Sequence, residues 1–128
     1  MADQGGRAQR GRQAEELAAE HLTSQGFVIE ATNWRCQVGE LDVVAHRDDL
    51  LVVVEVRSAT TPWLSSPAET VNIAKQRRVC RAADAYLQRR PGAAAERIRF
   101  DVMAVRFLPE GGAELLHIEN AFTPSWAF

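Results

Sequence analysis

The stretch Gly39-Glu40-Leu41-Asp42-Val43-Val44-Ala45-His46-Arg47-Asp48-Asp49-Leu50-Leu51-Val52-Val53-Val54-Glu55-Val56-Arg57 sets acidic residues at the ends of two apolar runs. Leu41–Ala45 and Leu50–Val56 are short and rich in β-branched residues, and the polar His46-Arg47-Asp48-Asp49 between them reads as a turn. The pair is therefore predicted to be a β-hairpin, with the second run buried on both faces. If Ala45 pairs with Leu50, Asp42 lies opposite Val53 and Glu40 opposite Glu55. Strict alternation then gathers Glu40, Asp42, Glu55 and Arg57 on one side of the sheet. Three crowded carboxylates repel one another unless a cation neutralises them. Mg²⁺ suits an all-oxygen set, with Mn²⁺ as the alternative. The plainer reading is a solvated hairpin end with Glu55 and Arg57 as a surface ion pair.

The rest of the chain bounds this reading. At 128 residues, 46% hydrophobic and 25% charged, it fits one domain with one core. A flexible segment is expected over 1–10, a folded domain over 11–122 and an aromatic tail over 123–128. No apolar stretch is long enough to span a membrane, so a soluble, cytoplasmic protein is expected. The net charge of −2 argues against coating nucleic acid through bulk positive charge, but leaves room for a local basic face. Cys36 and Cys80 lack metal-site spacing and read as packing residues, and the three histidines read as structural or surface groups.

Ala14, Leu17, Ala18, His21 and Leu22 recur at helical spacing, predicting a helix from Gly11 to about Gln25. Glu15 and Glu16 would then complement the positive end of its dipole. Phe27–Arg35 reads as a strand, and Gly39 as a bend. Beyond the hairpin, Ser58–Ser65 is a loop whose Trp63 either stacks on a base or covers the core edge. Ser66-Pro67-Ala68-Glu69 has the form of a capping box, opening a helix that runs to about Arg90 with a break near Asn72, before Pro91-Gly92. Lys75, Arg77, Arg78 and Arg81 make this helix the strongest basic cluster, suited to phosphates or simply to solvent. Ile98–Phe107 and Ala113–Ile118 read as two strands joined by Pro109-Glu110-Gly111-Gly112. Phe122, Trp126 and Phe128 then end the chain, available to fold back or to meet a partner. Periodicity supports a mixed α/β sheet.

Asp42 followed by Glu55-Val56-Arg57 resembles the PD-(D/E)xK signature of the restriction-endonuclease-like nucleases. More narrowly, Gly39-Glu40-Leu41-Asp42 followed by Val54-Glu55-Val56 resembles the YraN family, small bacterial proteins similar to Holliday junction resolvases. The resemblance extends from about Gly11 to Phe122. It implies an αβββαβ core with a central mixed sheet flanked by helices. It also implies Mg²⁺-dependent hydrolysis of nucleic acid, DNA above all, with structured or branched DNA among the substrates. Asp42 and Glu55 would hold the metal, helped by Glu15 or Glu40, since Ala14-Glu15-Glu16-Leu17-Ala18 resembles the family's Gly-Glu-x-x-Ala. Arg57 stands where the signature has lysine, and arginine does not give up its proton. Lys75, which matches a family lysine, is the substitute, while Lys75, Arg78 and Arg81 would grip phosphates. Two other readings stay open: a nucleic-acid-binding module of the same fold with little catalysis, and a protein-interaction scaffold. A homodimer rests on analogy with junction resolvases alone.

Overall fold

Leu50–Val54 are buried without a break, which places their strand inside the sheet with both faces covered. The computed structural model of the chain describes residues 2–90 and 97–124, and side chains from residue 6 onward. Within these, helix α1 (Ala2–Ser24) leads into strands β1 (Val28–Cys36), β2 (Gly39–Arg47) and β3 (Leu50–Ala59). A 3-10 turn (Pro67–Thr70) and helix α2 (Ile73–Arg89) follow, then β4 (Arg97–Phe107) and β5 (Ala113–Phe122). The strands lie in the order β1-β2-β3-β4-β5, with β3 and β4 parallel across the α2 crossover and the other neighbours antiparallel. This is an α/β fold with the αβββαβ order of a restriction-endonuclease-like core, extended by β5.

Alternation along β3 divides the core into two layers. Leu51 and Val53 pack with Val79, Cys80, Ala82 and Ala83 of α2, together with Phe100 and Val102. Leu50, Val52 and Val54 pack on the other face with Ala18 and Leu22 of α1, Val43, Ala45 and Met103. Cys80 is buried and Cys36 half-buried; both are unpaired and pack against the α2 layer.

Several expectations are corrected. The hairpin pairs Arg47 with Leu50 and Ala45 with Val52, two residues away from the expected register. Asp48 takes a left-handed φ of 54°, which aspartate tolerates, so Asp48-Asp49 alone closes the turn. Helix α1 begins at Ala2 rather than Gly11, because each residue added to an existing helix gains a hydrogen bond without a new nucleus. Ser66 makes no side-chain cap; the true cap is Asn72, whose side chain accepts the Lys75 N–H at 2.8 Å, so the break expected near Asn72 is where α2 starts. Gly39 is no bend: a Cβ there would sit 3.0 Å from the Arg78 carbonyl oxygen, so glycine lets α2 close on β2. Strand β5 runs on to Phe122, which is buried and stacks on Phe100 at 5.3 Å. Pro91, Gly92, Trp126 and Phe128 lie outside the described residues.

Polar ties fasten both sheet edges. At β1, an extra residue between Ile29 and Ala31 frees Glu30 from the ladder. Its carboxylate accepts bonds from Arg90 Nη2 (2.6 Å) and Tyr86 Oη (2.7 Å), and His46 Nδ1 lies at 2.6 Å. The Arg90 guanidinium, against the opposing effect of burial and with help from Tyr86 and His46, holds the Glu30 carboxyl down at about 2. At β5, fully buried Asp101 accepts bonds from Arg99, from the Asn120 N–H (2.9 Å) and, at 2.7 Å, pairs with His117 Nε2. Burial alone would raise the Asp101 carboxyl, yet His117, Arg99 and the Asn120 N–H together keep it below its ordinary value.

A depressed folded pKa contributes stability above the unfolded value, here 4.5, and loses it as pH falls towards about 2. Glu30→Gln is therefore expected to unfold about 2 kcal/mol more easily in urea at pH 7, a gap that closes between pH 4.5 and about 2. A gap independent of pH would show that shape, not charge, fastens β1 to α2.

Candidate functional site

A break in strand alternation builds the site. In a regular strand Leu41 and Val43 would share a face, yet Leu41 packs in the α2 layer and Val43 in the α1 layer. Asp42 sits at the change. Pairing on the β1 side runs through Thr32–Val43 and Trp34–Leu41, so Asn33 stands across from Asp42, with a left-handed φ of 51°. Asparagine is among the few residues that adopt this conformation cheaply. The β1-β2 ribbon is thus turned over at one rung, and Asp42 meets both layers.

On the α2 side, Asp42 Oδ2 accepts the Val56 N–H at 2.9 Å, so a carboxylate serves the backbone where the recorded hairpin pairing stops. The corrected register sets Asp42 against Glu55, not Val53. Glu55 is only 3% exposed, and Lys75 Nζ of α2 lies 3.4 Å from its Oε1. Burial first, and then the Glu55 carboxylate beside it, push the Asp42 carboxyl up to about 7.

On the α1 side the expected single face is corrected. Gly39 and Leu41 face α2, so Glu40 between them points the other way, towards Glu15. Carboxylate oxygens of Glu15, Glu40 and Asp42 all lie within 4.8 Å of one another. Asn33 Nδ2 donates to Glu15 at 3.0 Å, and Arg35 reaches Glu40 at 3.1 Å. Burial raises the Glu15 carboxyl, with the Asn33 bond opposing. Since α1 begins at Ala2, Glu15 lies several turns from the helix N-terminus, which removes the dipole explanation for it.

Three carboxylates, from α1, β2 and β3, therefore flank Asp42 on two sides. All their donors are hard oxygens, and burial and the Glu55 carboxylate raise the Asp42 carboxyl even with Lys75 opposing them. This set fits Mg²⁺ or Mn²⁺ and is wrong for a soft metal.

The cations divide. Lys75 joins the acids. Arg57 keeps the face of Glu55 but turns to the 3-10 turn, donating from Nε to Thr70 Oγ1 at 3.0 Å and from Nη2 to the Thr70 carbonyl. Thr70 Oγ1 in turn donates to the Pro67 carbonyl at 2.6 Å. Arg78, one helical turn beyond Lys75, is exposed beside β2. Arg81 points elsewhere, lining two shallow grooves with Arg77 on one side and Asp84 and Gln88 on the other. Trp63 is half-buried at the edge of its loop. Sequence reasoning missed Asn33 and Thr70. A lone asparagine inside a strand pattern was the available signal for the first; nothing local announced the second.

Fold and site together define an α/β protein of the restriction-endonuclease-like class, with its acidic cluster at the hairpin. Residues 14–105 match the model of the uncharacterised protein family UPF0102, the YraN family, and the chain belongs to it. It is 43% identical over 114 residues to a UPF0102 protein of Porphyromonas gingivalis, covering 88% of this chain and 83% of that one. A UPF0102 protein of Myxococcus xanthus is 43% identical over 116 residues, covering 91% and 90% respectively. One from Pseudomonas entomophila is 39% identical over 112 residues, covering 88% and 91%.

A carboxyl raised on folding costs stability once it ionises, so the penalty is absent below 3.8 and grows as pH rises to about 7. Asp42→Asn, which keeps an oxygen for the Val56 N–H, is expected to raise stability in EDTA at pH 8 by on the order of 1–2 kcal/mol. Mg²⁺ should raise the melting temperature of the wild type and leave that of the variant unmoved. An Asp42→Asn protein that melts lower than wild type in EDTA would contradict this account.

Proposed function

We propose that the chain is a divalent-metal-dependent nuclease that hydrolyses phosphodiester bonds, with DNA as its substrate. The observation that carries this reading is the meeting of half-buried Asp42 from β2, buried Glu55 from β3 and Lys75 from α2 at one point. Burying Glu55 with a half-buried Asp42 beside it, and bringing an amine to them from a separate element, is costly for a structural role alone. Asp42 and Glu55, joined by Glu15 and Glu40, would hold Mg²⁺. When bound, the cation supplies positive charge at the phosphoryl oxygens and a more acidic water.

The chain's own residues divide the remaining work. Hydrolysis forms a bond from a water oxygen to phosphorus and breaks the bond to the leaving oxygen, while negative charge grows on the non-bridging oxygens. Lys75 is about one-third exposed, so its ammonium reaches outward from Glu55 to a water or to that growing charge. Arg57 does not fill this role, because both of its recorded bonds go to Thr70. It braces the end of β3 against the 3-10 turn instead. Arg78, a turn beyond Lys75, is placed for a neighbouring phosphate.

The same commitment of Arg57 favours a second reading, a module of this fold that binds nucleic acid and cuts it poorly. Cleavage of labelled linear, single-stranded and four-way-junction DNA in Mg²⁺, Mn²⁺ or EDTA separates the two. Metal-dependent cutting is expected, falling at least ~100-fold in Glu55→Ala and Lys75→Ala. Arg57→Ala should retain cutting within about tenfold and lose on the order of 1 kcal/mol of stability. Binding without cutting by the wild type, with cutting gained in Arg57→Lys, would establish the second reading.

A further inference from the structure

The sequence gives no reason to look for a binding surface in residues 1–10, yet their helical conformation creates one. Helix α1 lies along β3, and its early turns bring Arg7 and Arg10 beside Ser58, Ala59 and Thr60. These five residues line a groove of about 290 Å³. Ser58 and Thr60 are exposed hydroxyl residues, and the backbone of this segment follows directly from Glu55 and Arg57. Among the described residues, neither Arg7 nor Arg10 is paired with a carboxylate. The guanidinium of Arg10 lies back over Gly6, where an added Cβ would meet its Nη1 at 3.3 Å. Two guanidinium groups, without a carboxylate partner among the described residues, and two hydroxyls in one groove form a donor-rich site, complementary to an anion with several acceptor oxygens.

The position of the groove narrows the ligand. Along β3, Ser58 is three residues past Glu55, about 10 Å at strand rise. Along α1, Arg10 is five residues before Glu15, about 7.5 Å at helix rise. Both elements thus carry the groove a similar distance from the acidic cluster, on the α1 face of the sheet, whereas Arg78 packs beside Gly39 on the α2 face. At about 3.4 Å of axial rise per nucleotide, that separation corresponds to a few phosphates along one strand.

We propose that this groove binds a backbone phosphate of the nucleic-acid strand that crosses the acidic cluster, with Arg7 and Arg10 as the cationic donors and Ser58 and Thr60 as the neutral ones. The proposal rests on the nuclease reading for the identity of the strand. On this account α1 contributes to both parts of the site, Glu15 to the acidic cluster and Arg7 and Arg10 to the strand. Substrate then lies over the open end of β3, between α1 and α2, and the net charge of the chain is no guide to its affinity.

The test uses the full chain and fluorescence anisotropy with labelled duplex and four-way-junction DNA in EDTA, titrated at several salt concentrations. Arg7→Ala/Arg10→Ala is expected to weaken binding at least tenfold at low salt and to reduce the salt slope by about one to two. Arg12→Ala is the control, since Arg12 is exposed on the opposite side of the same helix, and should change affinity less than about twofold. Ser58→Asp leaves α1 intact and should produce the same loss by placing an anion in the groove. Circular dichroism melts establish that each variant is folded. Unchanged affinity and slope in the double variant, an equal loss in Arg12→Ala, or full binding by Ser58→Asp would each overturn the groove while leaving the nuclease reading in place. Absence of any DNA binding by the wild type would overturn both.

Discussion

The carboxylate of Asp42 is half-buried beside Glu55, where its charge is least stable, and is held there by the Val56 N–H. That bond requires the hairpin ladder to give up its regular pairing at one rung, and the rung is turned over by Asn33 opposite. Everything nearby follows from this inversion. Leu41 goes to the α2 layer and Val43 to the α1 layer, so neither hydrophobic cluster loses a member. Glu40 is carried to Glu15, while Glu55 stays with Lys75. A regular hairpin would have placed the acids in a row on one face. The inverted one places Asp42 between two groups, with Glu15 and Glu40 on one side and Glu55 on the other.

Such a centre is a local cost, and its stability is supplied by the sheet that carries it. Strand β3 is fully buried along Leu50–Val54 and pairs continuously with β4 from Leu50–Arg97 to Ala59–Arg106. The edge strands are weaker by nature, having neighbours on one side only. Each is tied by a carboxylate whose hydrogen bonds are satisfied, half-buried Glu30 on β1 itself and buried Asp101 on β4 beside β5. Both carboxyls are shifted down, as satisfied anions should be, whereas Asp42 is shifted up. The direction of the shift separates acids whose partners satisfy their charge from the acid that burial and a neighbouring carboxylate leave raised.

Much of this was legible in the residues. The β-branched runs flanking His46–Asp49 announced the hairpin and its burial, because apolar density and length constrain a strand strongly. The meeting of Asp42 with Glu55 was also anticipated, although the expected register was two residues off. That error was harmless because an even slip keeps every side chain on its face. Placing Glu40 with Glu55 failed for a different reason. Alternation is an average property of strands, and one left-handed residue, Asn33, cancels it on both sides of the ribbon without disturbing composition. Helix α1 was cut short because Gly5, Gly6 and Gly11 lower local helix propensity, and propensity is a weak guide where packing of the later turns nucleates the helix. Strand β5 was ended at Ile118 because the irregularity at Asp101 and Asn120 interrupts its pattern before its last buried residue, Phe122.

The fate of Arg57 shows how a motif position and a chemical role come apart. The signature supplies a cation two residues after the glutamate, on the same face of the strand. In this chain that cation is a guanidinium, and its planar, multi-donor head finds a better geometric match in the carbonyl and hydroxyl of Thr70 than in a single water. Lys75 reaches the Glu55 carboxylate from the first turn of α2, its own N–H fixed by the Asn72 cap. The amine is therefore positioned by a helix terminus rather than by strand alternation. Arg57 contributes to that placement indirectly, since Thr70 ends the 3-10 turn just before Asn72 and anchors the start of the helix to the end of β3. The arginine and the lysine thus divide one task, the first holding the helix in place and the second presenting charge from it.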